Sequence, residues 1–342
     1  MSLLALVIVA ITFVVVLPRI ADYGSVWAVV RTLEGTWIAI LLLATAFNVL
    51  TYAPPWMVAL PGLGFRHALP FTQASTALTY VAPGGGIVGM AGSFGLLRTW
   101  GFPADDVARA VTVTGIWNQL ANLLLPVVAV FMLTAEEEAD TALTTVAFVG
   151  ASIFAVAAVV LTLVLWSAGF AREFGNLAAR VANRVLAWVH RGPVGWTGDS
   201  FARFRDDTVA LIARRWWLLS IAAVVGNLAV FLVLLASARA VGIGSGELTW
   251  IELFAGWSVA RVLQLVPLTP GGLGPVELGL TSILVAFGGD NAEVVAAILS
   301  YRFLTILPTL LLGLATMLAW QRVAPARDRE GVAARARKRP SE

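Results

Sequence analysis

The chain has 342 residues, of which 59% are hydrophobic and 13% charged, with a mean hydropathy of +0.86 and a net charge of +3. A soluble domain carries apolar residues nearer one half and about twice this charge, so the composition points to a polytopic membrane protein. The absence of cysteine excludes disulfides, thiolate metal sites and cysteine nucleophiles. The two histidines, His67 and His190, lie beside basic residues and argue against an imidazole metal site or a serine–histidine triad.

Apolar runs predict six full spans at 3–18, 36–60, 105–133, 141–168, 216–238 and 292–320. The first, LLALVIVAITFVVVL, lacks a basic leader and a small-residue cleavage site, so it reads as a retained helix. Spanning a hydrocarbon core of roughly 30 Å takes about 20 residues. Two more stretches, 68–98 and 249–287, are apolar but broken by PGGG at Pro83–Gly86 and by PGGLG at Pro270–Gly274. Loop charge orients the set. The arginine-rich segment 171–215 and the basic tail 322–342 belong on the cytoplasmic side, while TAEEEADTA at 134–142 fits the outer side. This places both termini in the cytoplasm of a cell-membrane protein. It also makes 68–98 and 249–287 re-entrant hairpins that enter and leave on one side.

Laid over each other, the two hairpins match at a constant offset. Pro83-Gly84-Gly85 falls on Pro270-Gly271-Gly272, Gly101 on Gly288, Asp106 on Glu293, Val107 on Val294 and Ala110 on Ala297. The expected fold is therefore all-α and polytopic, with about six full transmembrane helices plus two glycine-broken hairpins in an inverted repeat. The transmembrane domain covers 1–321, with a first repeat at 36–133, an amphipathic cytoplasmic segment at 171–215 and a second repeat at 216–320. Broken hydrophobic segments at matching places in two inverted halves point to a transporter-type binding site.

The breaks have their own chemistry. Proline lacks a donor N–H and disfavours helix before it. The glycines Gly84, Gly85, Gly86, Gly271, Gly272 and Gly274 admit close approach of backbone or ligand. The helix that restarts after each break presents free N–H groups, which suit phosphate or carboxylate. Ionisable residues within apolar segments cost about 2.5–3.5 kcal/mol each on insertion scales and usually face an interior or a cavity. Three stand out: Arg261, Glu277 and Arg302. Glu277 sits near the second break and can pair with either arginine. Two arginines against one carboxylate leave excess positive charge, which favours an anionic ligand. Asn118 and Arg98 are weaker candidates, the first for an interhelical hydrogen bond and the second as an interfacial arginine.

No GxxxxGK[ST], HExxH or GxSxG pattern occurs, so nothing supports ATP-driven pumping or a soluble catalytic domain. Enzyme activity is not expected, an intramembrane transferase with Glu277 as its one acid–base group ranking last among the readings, and no cofactor, metal or nucleic-acid partner is expected. The partner the pattern calls for is a membrane lipid, and homo-oligomerisation stays open.

Three stretches resemble the lysylphosphatidylglycerol synthase transmembrane (flippase-like) family. APGGGIVGMAGSFGLLRTWG looks like its first signature, LTPGGLGPVELGL like its second, and SYRFLTILPTLLLGL like its last helix with a Tyr-Arg pair, here Tyr301-Arg302. The resemblance runs over 1–320. It implies a translocase moving a phospholipid or polyprenyl-linked lipid between leaflets, with phosphate held by arginines near the helix breaks. The alternative is a non-transporting membrane partner of a lipid-modifying or glycosyltransferase enzyme. Many relatives carry a glutamate and an arginine in the first signature, where this chain has Met90 and Ser93. That departure argues against a lysylated lipid as substrate. It also suggests that the first hairpin scaffolds while the second carries the chemistry.

Overall fold

A computed structural model describes residues 33–82, 85–135, scattered positions between 152 and 184, 198–263 and 274–320. The expected first span, the tail, and Pro83, Gly84, Pro270, Gly271 and Gly272 lie outside the described residues, and the span at 141–168 is described only in scattered places. Among the described residues the protein is helical throughout. The helices are α1 (Gly35–Thr51), α2 (Ala53–Ala59), α3 (Phe65–Val81), α4 (Gly85–Thr99), α5 (Ala104–Ala135), α6 (Gly198–Ala240), α7 (Trp250–Val262), α8 (Pro275–Ala286) and α9 (Asn291–Leu318).

Four helical stretches among the described residues are long and apolar enough to cross a membrane: Gly35–Ala59, Ala104–Leu133, Ile212–Ala240 and Asn291–Leu318. They coincide with four of the expected spans. Their outer faces expose large apolar side chains, including Leu42, Leu43, Phe131 and Leu318. Such a continuous apolar surface is untenable in water and suits lipid. The helix α6 runs without interruption from Gly198, so the second repeat is entered by a helix that begins in the amphipathic segment.

The arms of the two broken stretches are shorter. At 17, 15, 13 and 12 residues, α3, α4, α7 and α8 measure about 18–26 Å. Each pair is an antiparallel hairpin held by small residues. A Cβ on Gly89 would lie 2.0 Å from Thr79 Oγ1, and one on Gly92 would lie 2.7 Å from Leu78 Cδ1. Ser75 and Ser93 also meet through their hydroxyls. In the second hairpin, a Cβ on Gly256 would lie 2.8 Å from Leu284 Cδ2, and one on Gly279 would lie 2.7 Å from Leu263 Cδ1. Close packing through small residues is the usual means of helix association where no hydrophobic effect drives it.

The helix ends follow from local chemistry. Thr249 and Glu252 form a capping box at the start of α7, and Asp290 Oδ1 accepts from the N–H groups of Ala292 and Glu293 at the start of α9. Both hairpins leave through a glycine with positive φ, Gly101 at 81° and Gly288 at 109°, a conformation glycine adopts without a Cβ clash.

The internal repeat is visible in these bounds. α4 ends at Thr99 and α8 at its counterpart Ala286, while α5 starts at Ala104 and α9 at its counterpart Asn291. Helix pairing repeats as well, with the partners exchanged between halves. α3 packs on α9 and α7 on α5; α1 packs on α9 and α6 on α5; α1 and α6 pack on each other. Each hairpin thus wedges its first arm against the last long helix of the other half.

Candidate functional site

The second hairpin brings its charges together with the last helix. Glu277, three residues into α8, accepts the Gly274 N–H through Oε2 at 2.6 Å and meets Arg302 Nε through Oε1 at 2.6 Å. Gly274 has φ of 96°, so only glycine fits this entry to α8 without strain. One carboxylate therefore fixes both a helix start and an arginine. The Arg302 side chain is 3% exposed, and its Nη2 has no hydrogen-bond partner among the described residues.

The partner of Glu277 is Arg302, not Arg261. Arg261, at the end of α7, lies with its Cζ 4.8 Å from the centre of the Trp257 ring, a cation–π contact. Its buried Nε has no hydrogen-bond partner among the described residues. Trp257 is fixed in turn by donating its Nε1–H to Tyr301 Oη at 3.3 Å. Tyr52, Tyr80 and Tyr301 all lie within electrostatic reach of Arg261. Tyr80 and Tyr301 are in the same relation to Arg302. Three of the chain's four tyrosines thus lie around Arg261, and two of them around Arg302 as well.

Arg261 also lines a cavity of about 330 Å³. The rest of the lining comes from the first repeat and from α6. Thr51, Tyr52 and Trp56 close it from α1 and α2; Ser75, Thr76, Thr79 and Tyr80 from α3; Gly86, Gly89, Met90 and Ser93 from α4. Thr114, Gly115, Trp117 and Asn118 contribute from α5, with Gly226 and Asn227 from α6. Several hydroxyls are turned back on their own helices: Ser93 donates to Gly89 O, Thr114 to Ala110 O and Thr79 to Ser75 O. Trp117 Nε1 donates to Ser220 Oγ and ties α5 to α6. Asn118 lines the cavity, and its amide makes no side-chain hydrogen bond among the described residues.

The expected residues fall into three groups. Arg261, Asn118 and Gly86 line the cavity; Glu277 and Arg302 pair with each other, and Tyr301 accepts from the Trp257 that carries Arg261 on its ring. Arg98 is elsewhere, donating from the last turn of α4 to Phe102 O and closing that helix end. Gly85 opens α4. The first hairpin, expected to scaffold, lines the cavity with eight residues, whereas the second contributes Arg261 alone among the described residues. Sequence reasoning missed Tyr52 and Tyr80. The signal was there: a chain with 17 phenylalanines and 4 tyrosines places hydroxyl-bearing rings sparingly, and two of them sit beside helix breaks.

Fold and site define a class: a multi-pass helical membrane protein with an internal repeat and an arginine-bearing, partly open cavity of mixed polar and apolar lining. The chain belongs to the family described as the lysylphosphatidylglycerol synthase TM region, which matches residues 2–313. It is therefore a membrane protein of a family linked to lipid metabolism. No curated protein matches the sequence significantly.

Proposed function

We propose that the protein is a lipid translocase that moves a phosphate-bearing lipid head between leaflets of the cell membrane while the acyl or prenyl tails stay in the bilayer. One observation carries this reading: the Arg261 guanidinium lines the cavity with its Nε unpartnered among the described residues, while Glu277 neutralises the neighbouring Arg302. A buried arginine without a carboxylate is expensive unless a ligand anion completes it. The planar fork of the guanidinium suits a phosphate. The short arms of both hairpins support a re-entrant arrangement, each turning within the membrane instead of crossing it. Rocking of the two halves about the α1–α6 contact would then expose the cavity to one side and the other, with both termini in the cytoplasm.

Reconstitution tests this directly. Liposomes carrying the purified protein and a head-labelled phosphatidylglycerol should show protein-dependent loss of label protection. Arg261→Ala should slow that exchange by about tenfold or more, the loss expected when a charge-assisted phosphate contact is removed. Exchange at the wild-type rate in Arg261→Ala would sink the assigned role. A protein that exchanges no lipid alone but copurifies with a lipid-modifying enzyme would support the partner reading instead.

A further inference from the structure

The cavity occupies the place of a missing ion pair. In the register that matches α4 with α8 and α5 with α9, Met90 stands at the position of Glu277 and Gly115 at that of Arg302. In the second half these positions make a buried ion pair at 2.6 Å. The first half keeps the positions adjacent, since a Cβ on Gly115 would lie 3.8 Å from Met90 Cε in ordinary contact. What it lacks is both charges and the whole bulk of the arginine side chain. Both Met90 and Gly115 line the cavity.

We propose that Met90 and Gly115 open a specific binding site in the first half, and that its ligand is the phosphate-bearing head of an anionic lipid that carries no amine. This rests on the lipid-handling reading above and names the substrate class. Its first leg is volume: an arginine at position 115 would fill the space a head group needs. Its second is charge. Arg261 lines the cavity, and no aspartate or glutamate does among the described residues. The nearby Glu277 has one oxygen on Arg302 and the other on the Gly274 N–H. Residues 83–84 and 264–273, which complete the two breaks, contain no acidic residue. An ammonium group brought into this cavity would face a guanidinium with no carboxylate to offset it, whereas a phosphate completes Arg261. Asn118 and Tyr80 offer further polar contacts to a glycerol or sugar hydroxyl.

Binding to the purified full-length chain in detergent, with dioleoylphosphatidylglycerol, its lysyl ester and soluble glycerol 1-phosphate as probes, tests the site. Phosphatidylglycerol should bind about tenfold or more tightly than the lysyl ester, since like charges placed together in a buried site are strongly disfavoured. Gly115→Leu, which fills the cavity without adding charge, should weaken phosphatidylglycerol binding by a similar factor while the melting temperature stays near wild type. Met90→Glu combined with Gly115→Arg should do the same by rebuilding the ion pair, and if it fails to fold, Gly115→Leu decides. Equal affinity for the lysyl ester would overturn the charge assignment, and unchanged binding by a folded Gly115→Leu would overturn the location. Glycerol 1-phosphate bound as tightly as the lipid would overturn the lipid source in favour of a soluble phosphate. Selective binding without exchange in liposomes would refute translocation and leave the site standing; exchange that persists in Gly115→Leu would refute the site and leave translocation standing.

Discussion

The two hairpins of this protein are built alike and used differently. Both carry a proline–glycine run in the sequence between their arms, both zip those arms through glycines, and both lean on the far helix of the other half. The second fills its inner face with Phe254, Trp257, Leu280 and Leu284 and locks it with Glu277 and Arg302. The first keeps Met90 and Gly115 at the matching positions and leaves space. A repeat of this kind supplies two equivalent frames. Filling one with an ion pair and emptying the other turns a symmetric scaffold into an asymmetric site, with Arg261 reaching from the filled half to the emptied one.

The largest break in this comparison comes from removing one member of the pair. Arg302→Leu leaves the Glu277 carboxylate buried without its cation, a change that costs about 3–5 kcal/mol at such sites. The expected outcome is a sharp loss of monodisperse protein and of melting temperature in detergent. Arg302→Leu together with Glu277→Leu should recover much of that loss, because two apolar groups of similar bulk desolvate at no electrostatic cost. If the double variant were as damaged as the single one, Glu277 would act through the Gly274 N–H alone. The second half would then not depend on an ion pair that the first half does without.

The next test concerns how each hairpin meets the opposite half. A Cβ on Gly313 in α9 would lie 2.6 Å from both Ala77 Cβ and Gln73 O in α3. The obstacle includes backbone, so neither helix can yield by rotating a side chain. Gly313→Val should therefore cost about 2–3 kcal/mol through overpacking, read as a lowered melting temperature. The matching position in α5 is Pro126, so the mirrored α7–α5 contact is not made through a glycine. A melting temperature unchanged by Gly313→Val would mean that the first hairpin is held less tightly than its contacts imply.

Much of this was legible in the sequence. Long apolar runs predict the four described spans, because a span needs nothing but length and hydropathy. The breaks predict the hairpins, because proline and glycine interrupt a helix wherever they fall. Arg261, Glu277 and Arg302 stand out since charge is rare in apolar surroundings. Which arginine takes Glu277 was not legible, because α7 and α9 both pass α8 and spacing along the chain does not rank them. The cavity escaped for a different reason. It is made by what Met90 and Gly115 do not supply, and an absence has no signature in one half alone. Extending the repeat from Ala110 and Ala297 onward, to Gly115 and Arg302, is the comparison that exposes it.

The smallest effect belongs to the hydroxyls at one further matched pair, Tyr301 and Thr114. Tyr301 accepts from Trp257 across two helices, whereas Thr114 donates within its own helix, to Ala110 O and Val111 O. Tyr301→Phe removes an interhelical bond and strands the buried Trp257 N–H, at a cost near the average of about 0.6 kcal/mol for such bonds in membranes. Thr114→Val removes a back-bond from a carbonyl that already serves the helix, so its effect on stability should be smaller still. Stability alone would barely separate them. Phosphatidylglycerol affinity should do so, because Trp257 carries Arg261 on its ring face and a loosened Trp257 lets the guanidinium leave the cavity. Tyr301→Phe should therefore weaken lipid binding by more than it lowers the melting temperature would suggest. If affinity falls only in step with stability, the Tyr301–Trp257 bond merely packs the second half and does not aim Arg261 at the first.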